Sequence, residues 1–190
     1  SGQVSAQPVG QVYRTGKLVS PQEIEFKYYR DGKTATISTF LEKATGVLAI
    51  NTNGKTDASI NMASGGRPSG DEPTMMLAAI LPMAFYPQAK TAANIGLGSG
   101  LTTHTLLSNP RLKRVDTVEI EECVVEAAKG FRPRVDRVYT DPRSSIFIED
   151  AKTFFSVHGK KYDIIISDPS NPWVSEVVVN FYKKLYALLN

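Results

Sequence analysis

Between residues 24 and 59 the chain alternates runs of β-branched and aromatic residues with polar turn pairs. Runs at 24–30, 34–40 and 47–52 are punctuated by Asp31-Gly32 and Asn53-Gly54. Both dipeptides tolerate the positive φ angles of tight hairpin turns, so the pattern predicts a small antiparallel sheet. Residues 64–72 are rich in Gly, Ser and Pro and read as a linker or mobile loop. From residue 71 the period changes. Helices are predicted over 74–86, 101–108, 121–130, 151–158 and 175–189, alternating with apolar strands over 91–96, 114–119, 144–148 and 162–167. Such alternation gives an α/β fold with a parallel sheet covered on both faces. The organisation expected is a small N-terminal β domain with its linker over 1–70 and a nucleoside-binding domain over 71–190.

Composition then removes several function classes. With 42% hydrophobic and 22% charged residues the chain is ordinary globular protein. Its net charge of +3 comes from 22 basic and 19 acidic residues without a like-charge block, and Arg111, Lys113 and Arg114 stand singly around turns. Nucleic-acid binding is therefore not expected. The single cysteine, Cys123, leaves no disulfide framework and no cysteine-based metal site, which points to a reducing, cytoplasmic setting. The longest apolar run, 75–86, is interrupted by Pro82 and falls short of the ~20 residues that cross a bilayer. Residues 1–10 lack the charged and apolar regions of a signal peptide. The chain is expected to be soluble by itself.

The candidate chemistry sits at successive strand ends. Asn94-Ile95-Gly96-Leu97-Gly98-Ser99-Gly100 closes one predicted strand and opens a helix. Glycines there permit a tight turn and close approach of a ligand to the backbone, although such a turn is also found as a purely structural device. Glu119, followed by Ile120, ends the next strand about 20 residues on, where a carboxylate can accept both hydroxyls of a ribose. That spacing is shared with dinucleotide sites. Asp150-Ala151 at the third strand end separates the two: Asp150 can accept from an adenine amino group, or cap the following helix, or do both. Three such elements in series favour an adenosyl sulfonium over a dinucleotide. The fourth strand runs into Ser167-Asp168-Pro169-Ser170-Asn171-Pro172-Trp173, with Asp168 at the mouth of the expected ligand crevice. Asp168 is either a functional acid or the start of a turn, and Trp173 either a core residue or a wall over a ligand.

The series 96–100, 118–121, 149–151 and 162–173 resembles the polyamine aminopropyltransferases, the spermidine synthase family, over residues 24–190. Residues 53–59 and 167–174 look most like the branch fused behind a multi-pass membrane segment. The resemblance implies a Rossmann-like sheet of the S-adenosylmethionine-dependent methyltransferase type, and an aminopropyl transfer from decarboxylated S-adenosylmethionine to a diamine such as putrescine. No tightly bound cofactor and no metal are implied. Donor contacts would fall on Gly96, Gly98, Ser99, Gly100, Glu119, Ile120, Asp150, Ala151 and Asp57; Ser170, Asn171 and Trp173 would face the acceptor, and Asp168 would take its proton.

Several positions depart from the family pattern. Ser99 stands where an acid normally holds the donor amine, Asn171 replaces the second aspartate of the catalytic loop, and Met75 and Met76 stand in place of a tyrosine and a histidine. Asp57, in place of a glutamine, either restores a negative charge to the pocket or is an exposed strand residue. Family domains continue beyond the last predicted helix, so a domain truncated at its C-terminus is expected, and a fourth strand left at the sheet edge predicts either self-association as a homo-oligomer or a missing partner segment. Two alternatives stay open beside aminopropyl transfer: a methyltransferase using intact S-adenosylmethionine, and a non-catalytic nucleoside- or polyamine-binding domain. The branch resemblance further implies tethering to a membrane segment at the cytoplasmic face of the inner membrane.

Overall fold

The computed structural model describes residues 22–167 and 186–189. Strands β1 (Ile24–Asp31), β2 (Thr36–Glu42), β3 (Val47–Thr52) and β4 (Lys55–Asn61) form an antiparallel sheet in that order. Asn53 and Gly54 both take positive φ, 50° and 79°, as a two-residue turn matching the twist of its strands requires. Asp31-Gly32 behaves differently. Neither residue has positive φ, and β2 starts at Thr36, two residues later than the pattern suggested. The cause is distant in sequence: the Thr34 backbone N–H and hydroxyl both donate to Glu121, at 2.8 and 2.9 Å, which takes them out of the ladder.

Helix α1 (Glu72–Phe85) leads into the second sheet. There β5 (Thr91–Ile95), β6 (Arg114–Glu119), β7 (Ser144–Ile148) and β8 (Ile164–Ser167) pair in parallel in the order β7-β6-β5-β8. The connections carry α2 (Leu101–Leu106), α3 (Glu122–Ala128), a 3-10 turn over Lys129–Phe131, α4 (Arg137–Thr140) and α5 (Ala151–His158). The period-2 alternation of the strands decides their two faces. Ala92, Val115, Ile164 and Ile166 pack toward Ala79 of α1 and Leu106 of α2, whereas Ala93 and Val118 pack toward Phe154 and Phe155 of α5. Successive strands move one way from β5 to β7, and β8 then returns to the far side of β5. This reversal opens a crevice at the carboxyl ends of the strands.

The two sheets share one core. Ile37, Ile50 and Ile60 of the antiparallel sheet cluster with Leu97, Leu101, Val124 and Phe131. The expected linker over 64–72 is fastened rather than loose at its far end. Glu72, 1% exposed, accepts the backbone N–H groups of Asn61 (2.8 Å) and Ser69 (3.0 Å) and pairs with Arg134 (2.7 Å). Asp71 accepts the Ser59 hydroxyl at 2.6 Å. A buried carboxylate needs such partners, and they lock α1 to β4. Among the described residues no helix is long and apolar enough to cross a membrane.

Candidate adenosyl site

The turn after β5 is built from both ends. The Asn94 side chain donates to the Gly96 carbonyl (2.8 Å) and to Thr103 of α2 (3.1 Å), while the Gly96 N–H donates to the Val118 carbonyl of β6 (2.8 Å). Gly96 and Gly98 take φ of 88° and 53°, values that L side chains resist. Their missing side chains leave the turn open to a cavity of about 520 Å³ lying between the antiparallel sheet and the carboxyl ends of β5, β6 and β7.

Glu119, 7% exposed, orders this turn. One of its oxygens accepts the Leu97 N–H at 2.8 Å and the other the Glu121 N–H at 3.0 Å. Burial pushes its pKa above the ordinary carboxylate value, and the backbone donors of Leu97, Glu121 and Ile120 offset only part of that. Three backbone donors still leave the carboxylate capacity for an incoming donor. Glu121, the next acid, is also surrounded by protein, but the donors of Thr34 and Cys123 outweigh that burial and hold its pKa below the usual range. Asp57 sits on the opposite wall. Partial desolvation of its carboxyl against the cavity wall raises its pKa although the residue as a whole stays exposed, and the Thr52 hydroxyl and Lys55 counter that rise.

Of the residues singled out from sequence, Gly96, Gly98, Glu119, Ile120, Asp150, Ala151 and Asp57 line this one cavity. Asp150 also caps α5 by accepting the Thr153 N–H at 3.2 Å, so the capping reading coexists with a place in the wall. Asp57 is exposed, as a strand residue would be, and faces the cavity as well. Ser99 and Gly100 do not line the cavity. Ser99 is fully buried and its hydroxyl donates to the Met75 sulfur at 3.3 Å, while Gly100 begins α2 against Val135 and Val138. Ser99 therefore faces the core and not the cavity. Asp168, Ser170, Asn171 and Trp173 lie outside the described residues.

Sequence reasoning gave no site role to Thr34, Thr52, Lys55, Glu121 and Glu149, and noted Met75 only as a departure from the family pattern, yet all six line the cavity. Lys55 lay close to a residue already named, Asp57, but a bulge in β4 between the pairs Ile50 with Ala58 and Asn51 with Thr56 breaks the strand alternation there, so period alone does not place it. Glu149 adjoins Asp150 and pairs with His158 at 3.1 Å. Thr34 carried no local signal, because only the Glu121 contact 87 residues away brings it in. Among the described residues the lining thus holds five carboxylates (Asp57, Glu119, Glu121, Glu149 and Asp150) and one cation, Lys55. Among the described residues no group of three or more His, Cys, Asp and Glu could hold a metal ion.

Residues 74–190 match the family model of the spermine/spermidine synthase domain. This chain belongs to that family. A polyamine aminopropyltransferase of Thermoanaerobacter sp. (strain X514) is 30% identical over 112 residues, covering 57% of this chain and 40% of the relative. One from Clostridium perfringens (strain 13 / Type A) is 36% identical over 93 residues, covering 49% and 33%. The chain therefore spans well under half the length of these curated relatives. The fold of this family member agrees with solved structures. Spermidine synthase from Thermotoga maritima superposes with a TM-score of 0.72 at 22% identity, covering 87% of this chain and 54% of that one. A spermidine synthase in complex with the transition-state analogue AdoDATO gives 0.71 at 23%, covering 87% and 53%. The Rossmann-like parallel sheet with its preceding antiparallel sheet is thus the fold of the spermidine synthase family.

Proposed function

We propose that this chain carries the donor site of an aminopropyltransferase, in which decarboxylated S-adenosylmethionine lies in the cavity and gives its aminopropyl group to a diamine such as putrescine. The observation that carries this reading is the glycine turn facing a cavity walled by five carboxylates, which suits a cationic sulfonium and a cationic amine. Glu119 supplies lone pairs for the ribose hydroxyls, and Asp150 with the Ala151 backbone serves the adenine edge. The open turn at Gly96 and Gly98 lets the nucleoside approach the main chain. With Ser99 turned into the core, Asp57 is the acid left to meet the donor's ammonium.

The chemistry asks little more of the protein. The acceptor nitrogen attacks the methylene carbon beside sulfur, the C–S bond breaks, and its electron pair returns to sulfur as neutral methylthioadenosine. A free amine has a pKa near that of lysine, about 10.4, so a carboxylate must take its proton. We assign that role to Asp168 and the acceptor contacts to Ser170, Asn171 and Trp173, on the family pattern of their sequence. Alignment of the two reactants supplies most of the rate. A second reading, with intact S-adenosylmethionine in the cavity, is favoured by the presence of Lys55 in the lining. On the family reading the protein works in the cytoplasm, self-associates, and in its membrane-fused branch is held at the cytoplasmic face of the inner membrane.

The test is putrescine-dependent release of methylthioadenosine from decarboxylated S-adenosylmethionine. Wild type should show it, and Asp168→Asn should abolish turnover while retaining affinity for methylthioadenosine, since a base acts in the transition state. Equal turnover in the variant would remove Asp168 from the reaction, and a wild-type chain that binds no adenosyl compound would end the reading.

A further inference from the structure

The amino ends of the parallel strands form the edge opposite the cavity. Along the chain the basic residues near them are scattered, but the register sets Thr91 beside Arg114 and Ala92 beside Ile164, so the residues that lead into each strand meet at one edge. Lys90 precedes β5, Arg111, Lys113 and Arg114 lead into β6, and Lys160 and Lys161 lead into β8. Hydrogen bonds tie these starts together. The Lys113 N–H donates to the Lys90 carbonyl at 2.7 Å, the Arg114 side chain to the Lys161 carbonyl at 3.1 Å, and the Arg111 side chain to the Pro87 carbonyl at 3.3 Å. The acids at the same strand starts are already engaged. Asp116 is buried and accepts Lys160 at 3.0 Å and the Tyr162 hydroxyl at 2.7 Å, while Asp163 accepts the N–H groups of Lys90 and Thr91, both at 2.8 Å. Lys90, Arg111, Lys113 and Lys161 are exposed and form no ion pair with a described residue.

Exposed apolar side chains stand at the same edge. Helix α1 ends there just before Lys90, with Phe85 86% exposed and Tyr86 and Leu81 exposed beside it in sequence, and α5 ends there just before Lys160, with Val157 71% exposed. A phenylalanine left in water forfeits the gain that burial gives it, and apolar groups gathered beside cations suit a surface that is both anionic and partly apolar. We propose that this edge docks on an anionic lipid surface, the lysines and arginines meeting headgroup phosphates and Phe85, Tyr86 and Val157 entering the interfacial layer. Leu81 and Val157 are aliphatic and offer no face on which a base could stack, which favours a bilayer over a nucleic acid. The carboxylates of the cavity lie at the other end of the strands, so an anionic surface repels that end and attracts this one. The chain then rests with its cavity open to solvent. This inference does not rest on the adenosyl-site reading.

The experiment is co-sedimentation of the 190-residue chain with large vesicles, either of phosphatidylcholine alone or of phosphatidylcholine and phosphatidylglycerol in equal parts. Wild type should pellet with the anionic vesicles at low salt, be released as salt screens the headgroups, and stay in solution with phosphatidylcholine alone. Replacing Lys113 and Lys161 together with glutamine should lower partitioning roughly thirtyfold, about fivefold for each charge removed. Phe85→Ser should lower it about tenfold. All three side chains are exposed, so circular dichroism and thermal melting should match wild type. Equal partitioning into the two kinds of vesicle, or unchanged partitioning in either variant, would overturn the proposal. Tighter binding of a mixed-sequence DNA or RNA oligonucleotide than of the anionic vesicles at the same salt would also overturn it and give the edge to a nucleic acid.

Discussion

Replacing Glu72 with alanine tests whether the two sheets are joined as the structure indicates. The Glu72 side chain is 2% exposed, and its carboxylate accepts the N–H groups of Asn61 and Ser69 and the guanidinium of Arg134. Removal strands two donors in a buried site, at about 1–3 kcal/mol each. Arg134 is 42% exposed and keeps the Asn61 carbonyl at 2.6 Å, so the lost ion pair adds about 1 kcal/mol or less. The expected loss is about 3–5 kcal/mol, a large part of the ~5–15 kcal/mol that keeps a domain folded. Glu72→Gln keeps an acceptor for the two N–H groups and turns an amide toward Arg134, for a loss of about 1–2 kcal/mol. Urea titration followed by circular dichroism gives both values, and the alanine variant should melt roughly 10 °C lower. Because Glu72 holds β4, which carries Lys55 and Asp57, the same variant should also weaken adenosyl ligands. An alanine variant with the wild-type urea midpoint would refute the reasoning.

Two further outcomes follow from single nodes. Arg143 donates to the carbonyls of Asn109, Leu112 and Leu107, at 2.8, 2.9 and 2.6 Å, and to both oxygens of Asp141, and lysine cannot reproduce that fork. Arg143→Lys should cost about 2 kcal/mol by urea titration. The hydrogen bonds from Arg143 also hold the Asp141 pKa below its ordinary 3.8; the stability this supplies is present above that value and lost as pH falls through the lowered one, so Arg143→Lys should flatten the acid limb of the stability curve. Glu119 has the opposite sign. Burial raises its folded pKa above 4.5, so its own contribution to stability is greatest below the unfolded value and is lost as pH rises through the folded one. Ribose binding needs the ionised form, and methylthioadenosine affinity should therefore fall on acidification sooner than an ordinary glutamate would cause. Glu119→Gln should remove that pH dependence; a profile identical to wild type would take Glu119 out of the site.

The order of the described strands and helices from β5 to β8, apart from the short α4, was legible in the sequence because their periods are local; the helix predicted over 175–189 lies outside the described residues but for 186–189. The runs at 114–119, 144–148 and 151–158 coincide with β6, β7 and α5, and the strand-end positions of Gly96, Glu119 and Asp150 follow from those runs. A parallel sheet puts such positions at one edge, so bringing Glu119, Asp150 and the glycine turn together needed no knowledge of long-range contacts. What lies across the cavity needed that knowledge. The antiparallel sheet supplies half the wall through a core shared between Ile37, Ile50 and Leu97, and no periodicity says which two apolar faces will meet. Glu121 decides where β2 begins, by capturing Thr34 from 87 residues away. The residues 64–72 read as a linker because Gly, Ser and Pro are common there, yet Glu72 finds buried donors in Asn61 and Ser69. Ser99 shows the same limit at a single residue: its place in a glycine turn was evident, but only the packing of Met75 decided that its hydroxyl faces the core. Sequence determines what a segment can bury and which groups it can offer; the tertiary structure decides which partners satisfy them, because burial energy is non-directional and a hydrogen bond is not.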